Sequence, residues 1–417
     1  TAAGTAFLED PRVLVSEDLT PSDTASLDRS KILAIATETG GQTSHAVIMA
    51  RASGVPAVVG VRSLTEGLSG GDTLLVDGFE GLVIINPSET TLFRYGKVGI
   101  RRKKLKDLVE EDAKEPALTK DGQTFQLFAN ADTPEEVNAA IESACEGVGL
   151  FRTEALFLRK NEMPTEEVQF LHYRELVEAA KPLAVTIRTL DLGGDKVLNQ
   201  GDREQENNPF MGFRAIRYCL QNPDIFLLQL RAILRASAFG NVKLMFPMIS
   251  GVGEVIRAKV LLERAKNELR DKAVAFDESI EVGCMIETPS AVTICDLLAK
   301  EVDFFSVGTN DLVQYLLAVD RVNNQIAYLY EPHHPAVIRS LEHVSRVAKQ
   351  TGKPITVCGE IAGDPHFLPI LLGLGFDHLS CAPPLLQELK FFGRRFTQEE
   401  CKELVNEILG MGRPVRI

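Results

Sequence analysis

Short apolar runs bounded by glycine, proline and aspartate open the chain: RVLV (12–15), ILAIA (32–36), PAVVGV (56–61), TLLVD (73–77) and LVII (82–85). Runs of that length, rich in branched aliphatics, predict strands. Between the second and third, TSHAVIMARASG carries apolar residues at 47, 48 and 52 and closes on Gly54, which predicts a helix. Together these elements make a compact α/β unit ending near Pro87. The next stretch, YGKVGIRRKKLKDLVEEDAKEP, has too few apolar anchors to bury much surface. It predicts a solvated connecting helix that Pro116 stops.

From residue 117 onward, strand-like runs alternate with helical patterns such as PDIFLLQLRAILRASA and GEVIRAKVLLERAKNELR. The predicted strands are FQLFANA (125–131), GVGLF (147–151), AVTIRTL (184–190), a short one at FRAI (213–216), VKLMFP (242–247), EVGCMIE (281–287), DFFSVGT (303–309) and PITVCGE (354–360). Eight βα units over roughly 290 residues match the size of a (β/α)8 barrel. A doubly wound open sheet competes, but no glycine-rich dinucleotide loop follows the first strand. The expected fold class is therefore α/β: a small domain over 1–88, a charged helical linker over 89–116 and a barrel over 117–417.

Polar residues fall in a telling register. Arg152, Arg188, Glu287, Asn310 with Asp311, and Cys358 each sit at or just past the C-terminal end of a predicted strand. In a barrel those ends converge on one face, where the catalytic groups of this fold reside. Taken singly, each has a blander role: a carboxylate is usually a cap or solvated, an arginine a surface ion pair, a cysteine a core thiol. Joint occurrence at successive strand ends reverses that.

Charge and composition narrow the chemistry. Forty-five basic residues stand against 58 acidic ones, a net charge of −13, which disfavours nucleic acid and anionic membranes as partners. An anionic substrate would need a local cluster of arginines to overcome that field. Cysteines 145, 219, 284, 295, 358, 381 and 401 show no CxxC spacing, so they read as reduced, mostly buried thiols of a cytoplasmic protein. No apolar run approaches the ~20 residues of a spanning helix, so no membrane insertion is expected. The chain starts at Thr1 rather than methionine, which is read as a fragment of a longer protein.

The segment GGQTSH places His45 after a glycine pair and two hydroxyl residues, at the start of the predicted helix. Backbone N–H groups and the positive end of the helix dipole gather there and suit a phosphate. Gly40 and Gly41 permit close approach of a partner, and Thr43 or Ser44 can cap the helix. An imidazole titrating near neutrality attacks phosphorus when neutral and leaves readily afterwards. His333 and His334, in EPHHP, read as a loop.

At this point the chain resembles a known family. GGQTSHAVIMARASGVPAVVG is similar to the phosphohistidine signature of the phosphoenolpyruvate (PEP)-utilising enzymes, which include enzyme I of the bacterial sugar phosphotransferase system, pyruvate phosphate dikinase and PEP synthase. GVGLFRTEALF, IRTLDLGGDK, ENNPFMGFRAIR, LRAILRASAFG, MFPMIS, MIETPSA, DFFSVGTNDLVQYLLAVDR and VCGEIAGDP follow in order, and the resemblance covers nearly the whole chain. AVDR and VCGEIAGDP favour the enzyme I branch.

The resemblance implies that 1–88 is a swivelling phosphohistidine domain and 117–417 a PEP- and Mg²⁺-binding barrel. It implies that His45 accepts phosphate, that Arg152, Arg188, Asn310 and Arg321 hold PEP, and that Arg214 and Lys196 add positive charge. Glu287 and Asp311 would ligate Mg²⁺, and Cys358 would be the acid. These types suit the chemistry: guanidinium forks match phosphate and carboxylate, and Mg²⁺ prefers a few carboxylates plus substrate oxygens.

The product would be pyruvate, with onward transfer to a phosphocarrier such as HPr and a homodimer formed through the barrel. The family's helical carrier-binding insertion and an N-terminal strand are absent from this sequence, which implies charging of His45 but poor transfer to HPr. A dikinase-type enzyme would need a nucleotide module, and no GxxxxGK[ST] loop is present. A PEP-sensing regulator would need neither nucleophile nor acid.

Overall fold

The computed structural model describes residues 12–19, 31–40, 47, 50, 55–69, 71–78, 81–92, 95, 109, 115–158, 163–192, 206, 208–323 and 325–410. His45, Lys196 and most of the charged linker lie outside these residues. The chain divides into two compact units, 1–107 with 320–329, and 108–319 with 330–417.

In the first unit, three parallel strands, β1 (Arg12–Ser16), β2 (Ile32–Thr37) and β3 (Ala57–Val58), form one sheet in that order. An antiparallel pair, β4 (Leu74–Asp77) and β5 (Leu82–Ile85), accompanies it. All five coincide with predicted strands. A small apolar core of Leu19, Ile32, Ile35 and Ala50 holds the sheet.

The second unit is a closed barrel of eight parallel strands in chain order. They are β6 (Gln126–Ala131), β7 (Gly147–Phe151), β8 (Ala184–Arg188), β9 (Val242–Phe246), β10 (Glu281–Ile286), β11 (Phe304–Val307), β12 (Ile355–Val357) and β13 (His378–Cys381). Closure comes from pairing of β13 with β6, His378 to Gln126 through Cys381 to Ala129. This excludes the open doubly wound sheet.

One predicted strand is wrong and one was missed. FRAI (213–216) is not a strand: Arg214 caps the helix Ala215–Gln221, and Ala215 sits at φ 54°. A four-residue apolar run does not distinguish strand from helix by itself. The true eighth strand, HLSC, alternates polar and apolar residues because Ser380 points into the barrel. Its hydroxyl donates to Asn130 Oδ1 at 2.7 Å, in a space kept open by Gly149, where a Cβ would stand 2.5 Å from Ser380 Oγ.

Packing of the outer helices fixes the loops that carry function. In the helix Pro223–Ser237, Phe226, Leu227, Leu230, Ile233 and Leu234 are buried at helical spacing. Each such side chain contributes about 1.5–3 kcal/mol of burial. The same buried face carries Gln229, which accepts from the Leu190 amide at 2.9 Å and donates to Thr153 Oγ1 at 3.3 Å and to the Tyr173 hydroxyl oxygen at 3.2 Å. One amide thus ties the loops after β7 and β8 to the helical shell. Inside the barrel, Leu150, Met245, Met285, Phe304 and Cys358 form a separate apolar cluster. All seven cysteines are free and buried, and no described helix is long and apolar enough to cross a membrane.

Candidate active site

Arg188 is the last residue of β8, so its side chain emerges at the C-terminal rim of the barrel. Only 11% of that side chain is exposed, and its guanidinium is held from two sides. Nη2 meets Glu154 Oε1 at 3.0 Å and Nη1 meets Asp191 Oδ2 at 2.9 Å. Asp191 spends its other oxygen on Arg214, with Oδ1 at 2.7 Å from Nη2 and 3.2 Å from Nε. Arg214 reaches on to Asp311 Oδ2 at 3.4 Å. Burial works against both cations, but Glu154, Asp191 and Glu287 around Arg188, and Asp191 and Asp311 around Arg214, more than offset it. Both guanidiniums stay charged at any physiological pH.

Glu287 follows β10 directly and is 2% exposed. Its Oε1 accepts from the Met248 amide at 2.5 Å. Burial first, then the Asp311 and Asp191 carboxylates, push its pKa up to about 8, against the pull of Arg188 and the Met248 amide. Asp311 lies in the first turn of the helix Thr309–Leu317, which starts just after β11. Two buried carboxylates close enough to repel one another are a donor set that a hard divalent cation would neutralise. That fits Mg²⁺, which keeps water and substrate oxygens for its other positions.

Asn310 Oδ1 accepts from the Glu360 amide at 2.8 Å, its Nδ2 donates to Glu360 Oε1 at 3.3 Å, and its carbonyl accepts from the Tyr330 hydroxyl at 3.3 Å. The first turn of the helix Thr309–Leu317 is therefore laced to the 3-10 turn Glu360–Gly363 that follows β12. Cys358 follows β12 and is 2% exposed. Burial pushes its thiol pKa above the usual value, with the Ser306 hydroxyl and Arg188 pulling back, so the thiol is protonated at neutral pH. Arg152, after β7, is more open and pairs with Asp132 at 3.1 Å.

The barrel therefore gathers Arg152, Arg188, Arg214, Glu287, Asn310, Asp311 and Cys358 at one end. Arg321 lies in the 320–329 segment, which groups with the first unit, while His45 and Lys196 lie outside the described residues. His334, placed in a loop by its sequence context, caps the helix Pro335–Thr351 through Nδ1. Sequence reasoning missed Asp132, Glu154 and Asp191, the carboxylates that hold the arginines, and Ser306 beside the thiol. A signal existed for Asp191, which lies three residues past a strand-end arginine, but nothing local marks its partner. The expected arginine cluster thus comes already compensated: three described arginines face Asp132, Glu154, Asp191 and Asp311.

Residues 106–396 match the family model of the PEP-utilising enzyme PEP-binding domain, and residues 8–81 match that of the PEP-utilising enzyme mobile domain. A phosphoenolpyruvate-protein phosphotransferase of Geobacillus stearothermophilus is 44% identical over 412 residues, 99% of this chain and 71% of that protein. Its counterpart in Bacillus subtilis is 43% identical over 406 residues, 97% and 71% of the two chains. A solution structure described as Enzyme I (nEIt) matches 24% of this chain and 40% of that chain at 43% identity, with a TM-score of 0.23.

Proposed function

The chain belongs to the PEP-utilising enzymes, and on that premise we propose that it works as a phosphoenolpyruvate-protein phosphotransferase whose own acceptor is His45. The observation that carries the reading is the convergence of cationic, carboxylate and thiol groups at one rim of a closed barrel whose family uses PEP. Arg152, Arg188 and Arg214, with Lys196, Arg321 and Asn310, bind and orient the PEP phosphate and carboxylate. Buried guanidiniums held in place cost little reorganisation when the substrate arrives. Glu287 and Asp311 hold Mg²⁺, which when bound neutralises charge on the PEP oxygens.

His45 attacks phosphorus in line, the bond from phosphorus to the enol oxygen breaks, and the enolate of pyruvate remains. Cys358 then gives its thiol proton to C3, forming a C–H bond and leaving pyruvate and a thiolate. A thiol that is protonated at neutral pH is in the correct state for that role. Delivery from phospho-His45 to a carrier such as HPr, a homodimer formed through the barrel and a cytoplasmic setting belong to the same reading. Incubation with PEP and Mg²⁺ should yield pyruvate and one acid-labile phosphate per chain, and His45→Ala should lose the phosphate. If that variant keeps the label, His45 is not the acceptor.

A further inference from the structure

Proton return to C3 leaves a negative charge on a sulfur that is 2% exposed, and some group must hold that sulfur and carry part of the charge. Among the described hydrogen bonds, the one side chain that donates to Cys358 Sγ is Ser306, at 3.2 Å. Ser306 belongs to β11, is 1% exposed, and lies in register with Met285 of β10 and Thr356 of β12. The Val307 carbonyl oxygen lies 3.5 Å from the sulfur as an acceptor for the thiol, which leaves the Ser306 hydroxyl as the donor to it.

The Cys358 backbone is fixed from the opposite side. Its carbonyl accepts from Asn130 Nδ2 at 3.0 Å, and Asn130 Oδ1 accepts from Ser380 at 2.7 Å. With the main chain clamped by β6 and β13, the remaining freedom is rotation of the sulfur about its own side chain, and that is what the Ser306 contact restrains.

We infer that Ser306 is a positioning residue for the reaction: it aims the Cys358 thiol and donates its hydrogen bond to the thiolate formed when C3 is protonated. The inference rests on Cys358 being the acid. A hydrogen bond to a charged acceptor is worth more than one to a neutral acceptor, so the contact strengthens as the proton leaves, which is the condition for an effect on rate rather than on binding.

The test uses the full chain as wild type, Ser306→Ala and Cys358→Ala, with PEP and Mg²⁺. Three quantities are read: the PEP dissociation constant, the single-turnover rate of pyruvate formation, and the ratio of that rate in H2O and D2O. Ser306→Ala should leave PEP binding unchanged, slow pyruvate formation about 10- to 100-fold, and enlarge the solvent isotope effect as protonation becomes limiting. A merely structural serine would weaken PEP binding and leave the isotope ratio alone, which overturns the inference. So does a normal rate in Ser306→Ala beside a slow Cys358→Ala. A normal rate in Cys358→Ala overturns the acid assignment itself, and the inference with it.

Discussion

Replacing Asp191 by asparagine keeps the shape of the residue and removes the charge that Arg188 and Arg214 share. The two contacts, at 2.9 Å and 2.7 Å, join side chains that are 11% and 12% exposed, while Asp191 itself is 4% exposed. Each ion pair has a gross attraction of about 4 kcal/mol at an effective dielectric of about 20, but desolvation of the ions consumes much of it. Removing one member of a buried set typically costs about 3–5 kcal/mol because the surviving charge stays buried. Arg188 keeps Glu154 and Arg214 keeps Asp311, which places the loss near the lower end, about 3 kcal/mol. An unfolding entropy of about 2.1 cal/mol/K per residue over a unit of roughly 300 residues turns that into a Tm lower by about 5 °C.

PEP brings anionic oxygens to the same guanidiniums, so it should restore part of what the mutation removed. Thermal unfolding with and without PEP should therefore show a larger PEP-induced rise in Asp191→Asn than in the wild type. A variant that melts within about 1 °C of the wild type, or equal PEP shifts in the two proteins, would refute the reasoning that Asp191 is the shared counter-charge of the guanidiniums that meet PEP.

Three further outcomes follow from particular contacts. The folded pKa of Glu287, about 8, lies above its usual 4.5, so the metal-free native state binds the extra proton and loses stability as pH rises through that window. Mg²⁺ displaces the proton, so its stabilisation in a melting assay should be larger at about pH 8.5 than at about pH 6, and equal shifts would exclude Glu287 as a ligand. In Gly308→Ala the new methyl would stand 2.6 Å from Glu287 Oε2 and 2.8 Å from Met285 Sδ. Titration calorimetry should then show Mg²⁺ affinity reduced by about tenfold or more, since groups that orient ligands matter on that scale. Gly373→Ala drives a methyl onto the Cys401 carbonyl between the helices Leu368–Leu374 and Gln398–Gly410. Chemical denaturation should report a loss of about 1–3 kcal/mol with PEP binding intact, because the collision lies between these two helices and touches none of the strand-end residues of the rim.

Much of this architecture is readable in the chain because it is local. Seven of the eight barrel strands announce themselves as short aliphatic runs, and the residues just past them are fixed by the same runs, so Arg152, Glu287, Asp311 and Cys358 fall at the rim by counting. The eighth strand escaped because its alternation of histidine and serine with apolar residues reflects an inward-facing hydroxyl, which only closure onto β6 explains. FRAI failed for a simpler reason: four residues carry too little periodicity to separate a strand from the start of the helix Ala215–Gln221.

By itself, then, the sequence determined the element order, the α/β class and which chemical groups stand at strand ends. Arg188 and Asp191 are three residues apart, but tertiary structure alone decided the other pairings. Asp191 lies 23 residues from Arg214, and Arg214 lies 97 from Asp311, and Ser306 lies 52 from the thiol it touches. Local propensity acts over a turn or a strand, whereas ion pairing and hydrogen bonding depend on distances that exist only once the barrel has closed.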